Sequence, residues 1–206
     1  IVQYAPTANG FTADVPEIDY DNGVSVVQAS TNVDGTALDP ALITFDVDPH
    51  DYGTVARGST NDFTFTLTNG GGVPATGMVD GLGLTGMYDW AGAGTYPGGG
   101  TCAGTLAAAG TCTVVVRYLP TANGFTSDTV IVDYADGTGA TVQATSDVQG
   151  TAVDPAILTY DVDPQDFGTV ARGSTNDFTF TITNGGGVTA TGIAEGTPLT
   201  LPFSYP

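Results

Sequence analysis

The sequence contains no lysine, three arginines, one histidine and two cysteines, and these shortages exclude several kinds of partner, cross-link and site. Against the arginines stand 22 acidic residues, so the formal net charge is −19 at pH 7. Such a surface repels nucleic-acid phosphates and anionic lipid headgroups, which disfavours both as partners. Without lysine, no lysine isopeptide cross-link can form. Because no apolar run is long enough to cross a bilayer, we expect no membrane insertion by this segment.

The two cysteines, Cys102 and Cys112, are separated by small and apolar residues, with no histidine nearby to complete a zinc site. A disulfide is therefore the simpler interpretation, and a pair of free buried thiols is the alternative. Disulfides persist in oxidising compartments, so we expect a secreted or cell-surface protein. The acidic composition agrees with this, because a salty external medium screens the self-repulsion of many carboxylates.

The chain repeats itself with a period of 114 to 115 residues. The segment Gly53–Thr66 recurs unchanged at Gly168–Thr181, a spacing of 115 residues, and Pro6–Thr12 recurs at Pro120–Thr126 with a spacing of 114. The spacing changes by one residue within 134–143, which is typical of an insertion at the tip of a hairpin. The sequence therefore predicts a turn there and a tandem repeat overall.

Apolar and polar residues alternate along several segments, whereas none has a helical period. Alternation of this kind indicates strands with one buried face, and the Asn-Gly and Asp-Pro pairs between them indicate turns. Seven or so short strands in each repeat predict an all-β fold of tandem Ig-like β-sandwich repeats of about 115 residues, with a barrel as the weaker alternative. The residues expected to point inward are Phe63, Phe65, Leu67, Cys112, Val114, Val116 and Tyr118.

Four motifs occur in an order that suggests a family. They are F/Y-G-T-V followed by G-S-T, the T-N-G-G turn, the segment CAGTLAAAGTC, and Y-x-P-T-A-x-G after it. In these motifs the chain resembles the bacterial surface repeats called choice-of-anchor D, which belong to the wider ASH (hydin-like) Ig superfamily. The resemblance covers essentially the whole chain. It implies an Ig-like fold in a repeat-bearing surface or secreted protein, and no particular chemistry.

Placed on that pattern, the chain divides into three parts. Residues 1–37 supply the closing strands of a partial repeat, 38–153 form a complete repeat, and 154–206 supply the opening strands of a further partial repeat. Because Ile1 lies within a strand-like run, we expect an interior segment of a longer protein. Each partial repeat would leave an apolar face uncovered. We expect neighbouring repeats of the same protein to cover it, and head-to-tail docking of a second copy is the alternative.

The Asp-rich segments are the strongest candidates for a metal site. Asp46, Asp48 and Asp51 lie close together in DVDPHD, the second copy has DVDPQD from Asp161, and Asp39 or Asp154 in the connecting segments offers a further ligand. Hard oxygen ligands at this density suit Ca²⁺. The competing interpretation, which we adopt, is a solvated acidic strand edge that blocks edge-to-edge pairing, with no metal or other cofactor.

No residue is predicted to be catalytic. His50 is the single histidine, and the second copy has Gln165 in its place, which argues against a role that every repeat shares. We expect His50 to be a solvent-facing turn residue. Nothing supplies a nucleophile elbow or a phosphate-binding loop on a helix, so we predict that the chain is not an enzyme.

Arginine and aromatic residues complete the candidates. We expect Arg57 and Arg172 to bond local carbonyls or the neighbouring Asp62 and Asp177. Trp90, with Tyr88 and Tyr96 beside it, is either a sugar-stacking platform or the cover over one end of the sandwich. The leading prediction is a structural segment of an extracellular surface fibre or adhesin that acts as a semi-rigid rod or filament. The alternative is a glycan- or surface-binding Ig-like module.

Overall fold

The computed structural model describes residues 1–206, and its regular structure is almost entirely β. A single helical turn, α1 (Ala91–Gly94), interrupts a succession of strands. The strands in chain order are β1 (Gly10–Asp14), β2 (Glu17–Asp21), β3 (Val26–Ser30), β4 (Val33–Ala37), β5 (Ile43–Phe45), β6 (His50–Ala56), β7 (Asn61–Asn69), β8 (Ala75–Asp80), β9 (Tyr88–Trp90), β10 (Thr105–Leu106), β11 (Thr111–Tyr118), β12 (Gly124–Ala135), β13 (Thr141–Val153), β14 (Leu158–Tyr160) and β15 (Ile182–Asn184).

Two of the sheets pack face to face in the middle of the chain. One has five strands in the order β10-β8-β12-β13-β6, and the other has four in the order β5-β7-β11-β9. All their pairings are antiparallel except that of β13 with β6, which is parallel. This arrangement is an Ig-like β-sandwich, and it confirms the predicted fold class.

The core lies between these two sheets and follows the predicted alternation. In β11 every second residue from Cys112 to Tyr118 is buried, and the residues between them are partly exposed. In β7, Phe65 and Leu67 are fully buried, whereas Phe63 at the outer end of the strand is half-buried. The expected inward-facing residues are therefore confirmed, and apolar burial of this kind is the dominant favourable contribution to folding.

The longest hairpin joins β12 to β13 across residues 136–140. Its register pairs Gly124 with Ala152 at one end and Ala135 with Thr141 at the other. At the tip, Asp136 Oδ1 accepts a hydrogen bond from the backbone N–H of Thr138 at 2.8 Å, and this bond lowers the pKa of Asp136. The turn predicted from the one-residue change of spacing is confirmed at this place.

Cys102 and Cys112 form a disulfide, as predicted, with their Cα atoms 4.8 Å apart. Both residues are buried. Cys112 lies in β11, and Cys102 lies in the segment beside it, where its backbone N–H donates to the carbonyl of Thr113 at 3.0 Å. The bond therefore fastens an irregular loop to a central strand of the core.

The outer segments form small two-stranded sheets, β1 with β4, β2 with β3, and β14 with β15. They expose side chains whose counterparts one period away are buried. Tyr20 is 51% exposed, whereas its counterpart Tyr134 is 3% exposed. Phe180 is 42% exposed, whereas its counterpart Phe65 is fully buried. In the first segment the long hairpin is also split at Pro16, which lacks the N–H needed in a sheet ladder.

Candidate functional site

The Asp-rich segment DVDPHD uses its carboxylates to bond the backbone. Asp46 Oδ1 accepts from the N–H of Thr66 at 2.9 Å, and Asp48 Oδ1 accepts from the N–H of Asp147 at 2.9 Å. Asp51 Oδ1 accepts from the amide two residues later at 2.7 Å. No three histidine, cysteine, aspartate or glutamate side chains lie close enough together to hold a metal ion. The carboxylates therefore point to different backbone groups.

The second copy of this segment repeats the first of these bonds. Asp161 Oδ1 accepts from the backbone N–H of Thr181 at 3.0 Å. That hydrogen bond favours the ionised carboxylate and lowers the pKa of Asp161. The recurrence shows that the first aspartate of the segment has a structural role, which is to join the end of a short strand (β5 or β14) to the chain of the strand that pairs with it (β7 or β15).

The expectation that His50 is a solvent-facing turn residue is wrong. His50 begins β6, and its ring stacks on Phe63 with the centroids 3.5 Å apart. It also contacts Tyr52 edge-on at a centroid distance of 4.6 Å. Burial among these rings lowers the pKa of His50, and the neighbouring Asp51 opposes that shift. The histidine is thus part of an aromatic cluster at one end of the sandwich.

The predicted arginine pairing is also wrong in its partner. Asp62 is held by Arg117, whose Nε and Nη2 donate to its two carboxylate oxygens at 2.7 and 2.9 Å. This bidentate pair spans β11 and β7, and the hydrogen bond from Arg117 lowers the pKa of Asp62. Arg57 instead reaches Asp154, with Nη2 3.0 Å from Oδ1. Arg172 forms no ion pair in the structure.

The aromatic loop does not present a stacking face at Trp90. Trp90 is 2% exposed and Tyr88 is 3% exposed, so a sugar ring cannot lie on either without rearrangement of the core. Tyr88 stacks on Tyr118 at 4.8 Å, and Tyr96 meets Trp90 edge-on at 5.3 Å. Burial raises the pKa of Tyr96 to about 12. The structure therefore favours the interpretation that Trp90, Tyr88 and Tyr96 cover one end of the sandwich over the interpretation that they form a sugar-stacking platform.

The residues that the structure does bring together lie where the chain leaves the sandwich. β13 ends at Val153, and the next residue, Asp154, accepts hydrogen bonds through Oδ1 from Arg57 Nη2 at 3.0 Å and from Asn123 Nδ2 at 2.9 Å. Both bonds lower the pKa of Asp154, that from Asn123 the more. The backbone N–H of Arg57 also donates to the carbonyl of Val153 at 2.7 Å.

Asp154 is bound on its other side to the segment that follows. Its backbone carbonyl accepts from the N–H of Gly187 at 2.9 Å, in the turn after β15. A Cβ on Gly186 would collide with the carbonyl oxygen of Pro155, and one on Gly187 would lie 2.6 Å from Cβ of Val153. Only glycine fits here, because the connecting segment passes directly against the turn.

The backbone contacts of this joint also occur one period earlier. The carbonyl of Asp39 accepts from the N–H of Gly72 at 3.0 Å, and a Cβ on Gly71 would collide with the carbonyl oxygen of Pro40. Asn69 Oδ1 organises the turn by accepting from the N–H of Leu42 at 3.1 Å. Two copies of the turn motif therefore make the same backbone contact with the aspartate before them.

Sequence reasoning missed three residues of this joint, namely Asn123, Gly186 and Gly187. The signal for them was present, because both the P-T-A-N-G segment and the T-N-G-G-G turn occur twice. By itself, each of these motifs indicates only a turn. What the pattern did not reveal is that both turns meet the same connecting aspartate.

The chain matches no known family profile and no curated protein sequence. Solved structures resemble parts of it at low identity. The secreted serine protease VesC from Vibrio cholerae is 20% identical, with a TM-score of 0.37 over 50% of this chain. The V. cholerae protease VesB is 21% identical, with a TM-score of 0.40 over 53% of this chain. The ASH/PapD-like domain 7 of human CEP192 is 16% identical, with a TM-score of 0.37 over 57% of this chain and 88% of its own length.

The chain spans 22% of the length of VesC and 31% of that of VesB. Proteolysis is a property of those two proteins and is not assigned to this one. None of the helical residues forms a stretch long and apolar enough to cross a membrane. What the chain itself establishes is an Ig-like β-sandwich with a disulfide and a closely packed joint to the segment that follows.

Proposed function

We propose that the chain is a structural repeat segment of an extracellular surface fibre or adhesin, in which successive Ig-like repeats form a semi-rigid rod. Residues 38–153 are one complete repeat of it, and residues 1–37 and 154–206 are parts of its neighbours. The family assignment that goes with this proposal is the choice-of-anchor D group of surface repeats. The partners are the neighbouring repeats of the same protein.

The observation that carries the proposal is that no unbonded linker residue separates the sandwich from the segment that follows it. The last strand of the sandwich ends at Val153, and the next residue is already hydrogen-bonded to the turn of the following segment through Gly187. A linker with no free residue cannot act as a flexible tether. The arrangement suits a protein that transmits position or force along its length.

Two further properties support an external location. The disulfide between Cys102 and Cys112 requires an oxidising compartment to persist. The net charge of −19 keeps copies of the rod from associating side by side, and external salt screens the self-repulsion within each copy.

The test is localisation on intact cells that produce the protein. Antibodies raised against residues 38–153 should label unpermeabilised cells, and electron microscopy should show the label along filaments or on a surface layer. Protease added outside the cells should remove it. Label that appears only after permeabilisation, with a protease-resistant internal pool, would contradict the proposal.

A further inference from the structure

The strand that leaves the sandwich is held from both sides at its last residue. In the five-stranded sheet, β13 lies between β12 and β6. Arg57 follows the end of β6, and Asn123 precedes the start of β12. Their side chains therefore approach Asp154 from the two strands that flank β13, and both donate to the same oxygen.

Asp154 touches both repeats with different groups. Its side chain binds the sandwich behind it, and its backbone carbonyl binds the turn of the segment ahead through Gly187. A displacement of the following segment to either side would break one of the two side-chain hydrogen bonds. The residue is thus the point at which the orientation of one repeat is coupled to that of the next.

The backbone and side-chain halves of the joint are separate contacts. Asp39 and Asn9 are the counterparts of Asp154 and Asn123 one period earlier. There the carbonyl of Asp39 still bonds Gly72 at 3.0 Å, whereas Asp39 and Asn9 form no side-chain hydrogen bond. At Asp39 the backbone half of the joint is therefore present without the side-chain half.

We propose that Arg57 and Asn123 form a docking surface for the aspartate that opens the following repeat, and that this contact sets the angle between successive repeats. The inference rests on the proposed function, because it assigns the partner of each repeat end.

The contact is half-exposed, with Arg57 and Asp154 side chains 48% and 52% accessible. Exposed ion pairs add little to global stability, so thermal unfolding is a poor readout of this contact. Orientation is the sensitive readout. Residual dipolar couplings of backbone amides, measured on the whole 206-residue chain in a weakly aligning medium, report whether β14 and β15 share one alignment tensor with β11 to β13.

In the unsubstituted chain we expect one common tensor. Arg57→Gln, Asn123→Ala and Asp154→Asn should each reduce the couplings of the β14–β15 amides about twofold and leave those of the sandwich unchanged, as expected when one segment gains independent motion. The matched controls are Arg172→Gln and Asp39→Asn, which alter the same motif where no side-chain contact exists. The charge-exchanged pair Arg57→Asp with Asp154→Arg should recover part of the loss.

Separate tensors in the unsubstituted chain would overturn the inference, and so would couplings in the three variants equal to those of the controls. Couplings of the β14 and β15 amides that are already reduced by motion in the unsubstituted chain would also overturn the inference. A joint that sets an angle must hold that hairpin in one orientation. Surface labelling of cells is independent of this result. A rod with hinged joints would fail here and still be found outside the cell.

Discussion

The phenol oxygen of Tyr134 accepts a hydrogen bond from the backbone N–H of Ile43 at 3.1 Å, inside the core. Tyr134 lies in β12 of the five-stranded sheet, and Ile43 begins β5 at the edge of the other sheet. The bond therefore joins the two layers of the sandwich at the point where the chain enters it. Both residues are buried, so no water replaces either group.

Tyr134→Phe should destabilise the sandwich by about 1–3 kcal/mol, because it leaves the buried amide of Ile43 without an acceptor. Urea unfolding followed by the fluorescence of Trp90 measures the change. The matched control is Tyr20→Phe, at the equivalent position one period earlier, where the ring is exposed and its hydroxyl has no partner. Equal effects of the two substitutions would show that the hydrogen bond has no special role.

The T-N-G-G-G turn yields a contrast between adjacent glycines. Gly71→Ala should cost about 1–3 kcal/mol, because the new methyl group would overlap the carbonyl of Pro40. Gly70→Ala should be nearly neutral, since its nearest neighbour would be the carbonyl oxygen of Leu42 at 3.8 Å. Urea unfolding of both variants checks the prediction, which fails if Gly70→Ala is the more damaging.

Reduction of the disulfide should lower the free energy of unfolding by about 2.5–3 kcal/mol, from the chain entropy of a loop this short. Denaturation with and without a reductant measures the effect. The double variant Cys102→Ser with Cys112→Ser is the control, since its stability should not respond to the reductant. A reductant-insensitive wild type would mean that the bond is absent in the native protein.

The Arg117–Asp62 pair should contribute stability that depends on pH in a defined direction. Because Arg117 lowers the folded-state pKa of Asp62, the contribution is present above the ordinary aspartate pKa and is lost as the pH falls through the lower folded value. Solvent screens the pair, so the difference between wild type and Asp62→Asn should be small near neutrality. It should vanish in strong acid.

The control for that pH profile is Asp177→Asn, in the identical motif one period later, where no arginine contacts the carboxylate. Its unfolding midpoint should follow the wild type at every pH between about 2 and 7, the range over which aspartates titrate. A pH-dependent loss in Asp177→Asn equal to that in Asp62→Asn would contradict the assignment of the effect to Arg117.

Calcium should leave the thermal midpoint unchanged. Asp46, Asp48 and Asp51 each accept a hydrogen bond from a different backbone amide, so binding an ion would require these bonds to break. Melting in millimolar Ca²⁺ and in EGTA at matched ionic strength tests this, with Mg²⁺ as the control. A rise in midpoint specific to Ca²⁺ would reinstate the calcium hypothesis by mass action.

Much of the fold was predictable because it depends on local alternation. The period-two pattern of β7 and β11 assigns Phe65 and Val114 to the inner face whatever lies opposite them. The hairpin tip at 136–140 was predictable from one inserted residue. The burial of His50 was not predictable. The rings that bury it are Phe63 of β7 and Tyr52 further along β6, and the Asp-Pro pair next to His50 indicates only a turn.

The candidate site divides in the same way. The repeats of P-T-A-N-G and of T-N-G-G-G indicate that Asn123, Gly186 and Gly187 lie in turns, and the period places Asp39 and Asp154 in equivalent positions. The sequence does not predict that Arg57 pairs with Asp154. The two residues are 97 positions apart and meet only because β6 pairs in parallel with β13. Asp62 was the nearer candidate along the chain, yet antiparallel pairing of β11 with β7 gives it to Arg117.

The sequence by itself determined the strand faces, the repeat period, the acidic surface and the cysteine pair, since each depends on residues close together in the chain or on composition. The tertiary structure alone decided which charges pair, that Trp90 is buried, and that Asp154 binds both the sandwich and the segment that follows it. Those outcomes depend on sheet order and register, which bring distant segments to within hydrogen-bonding distance.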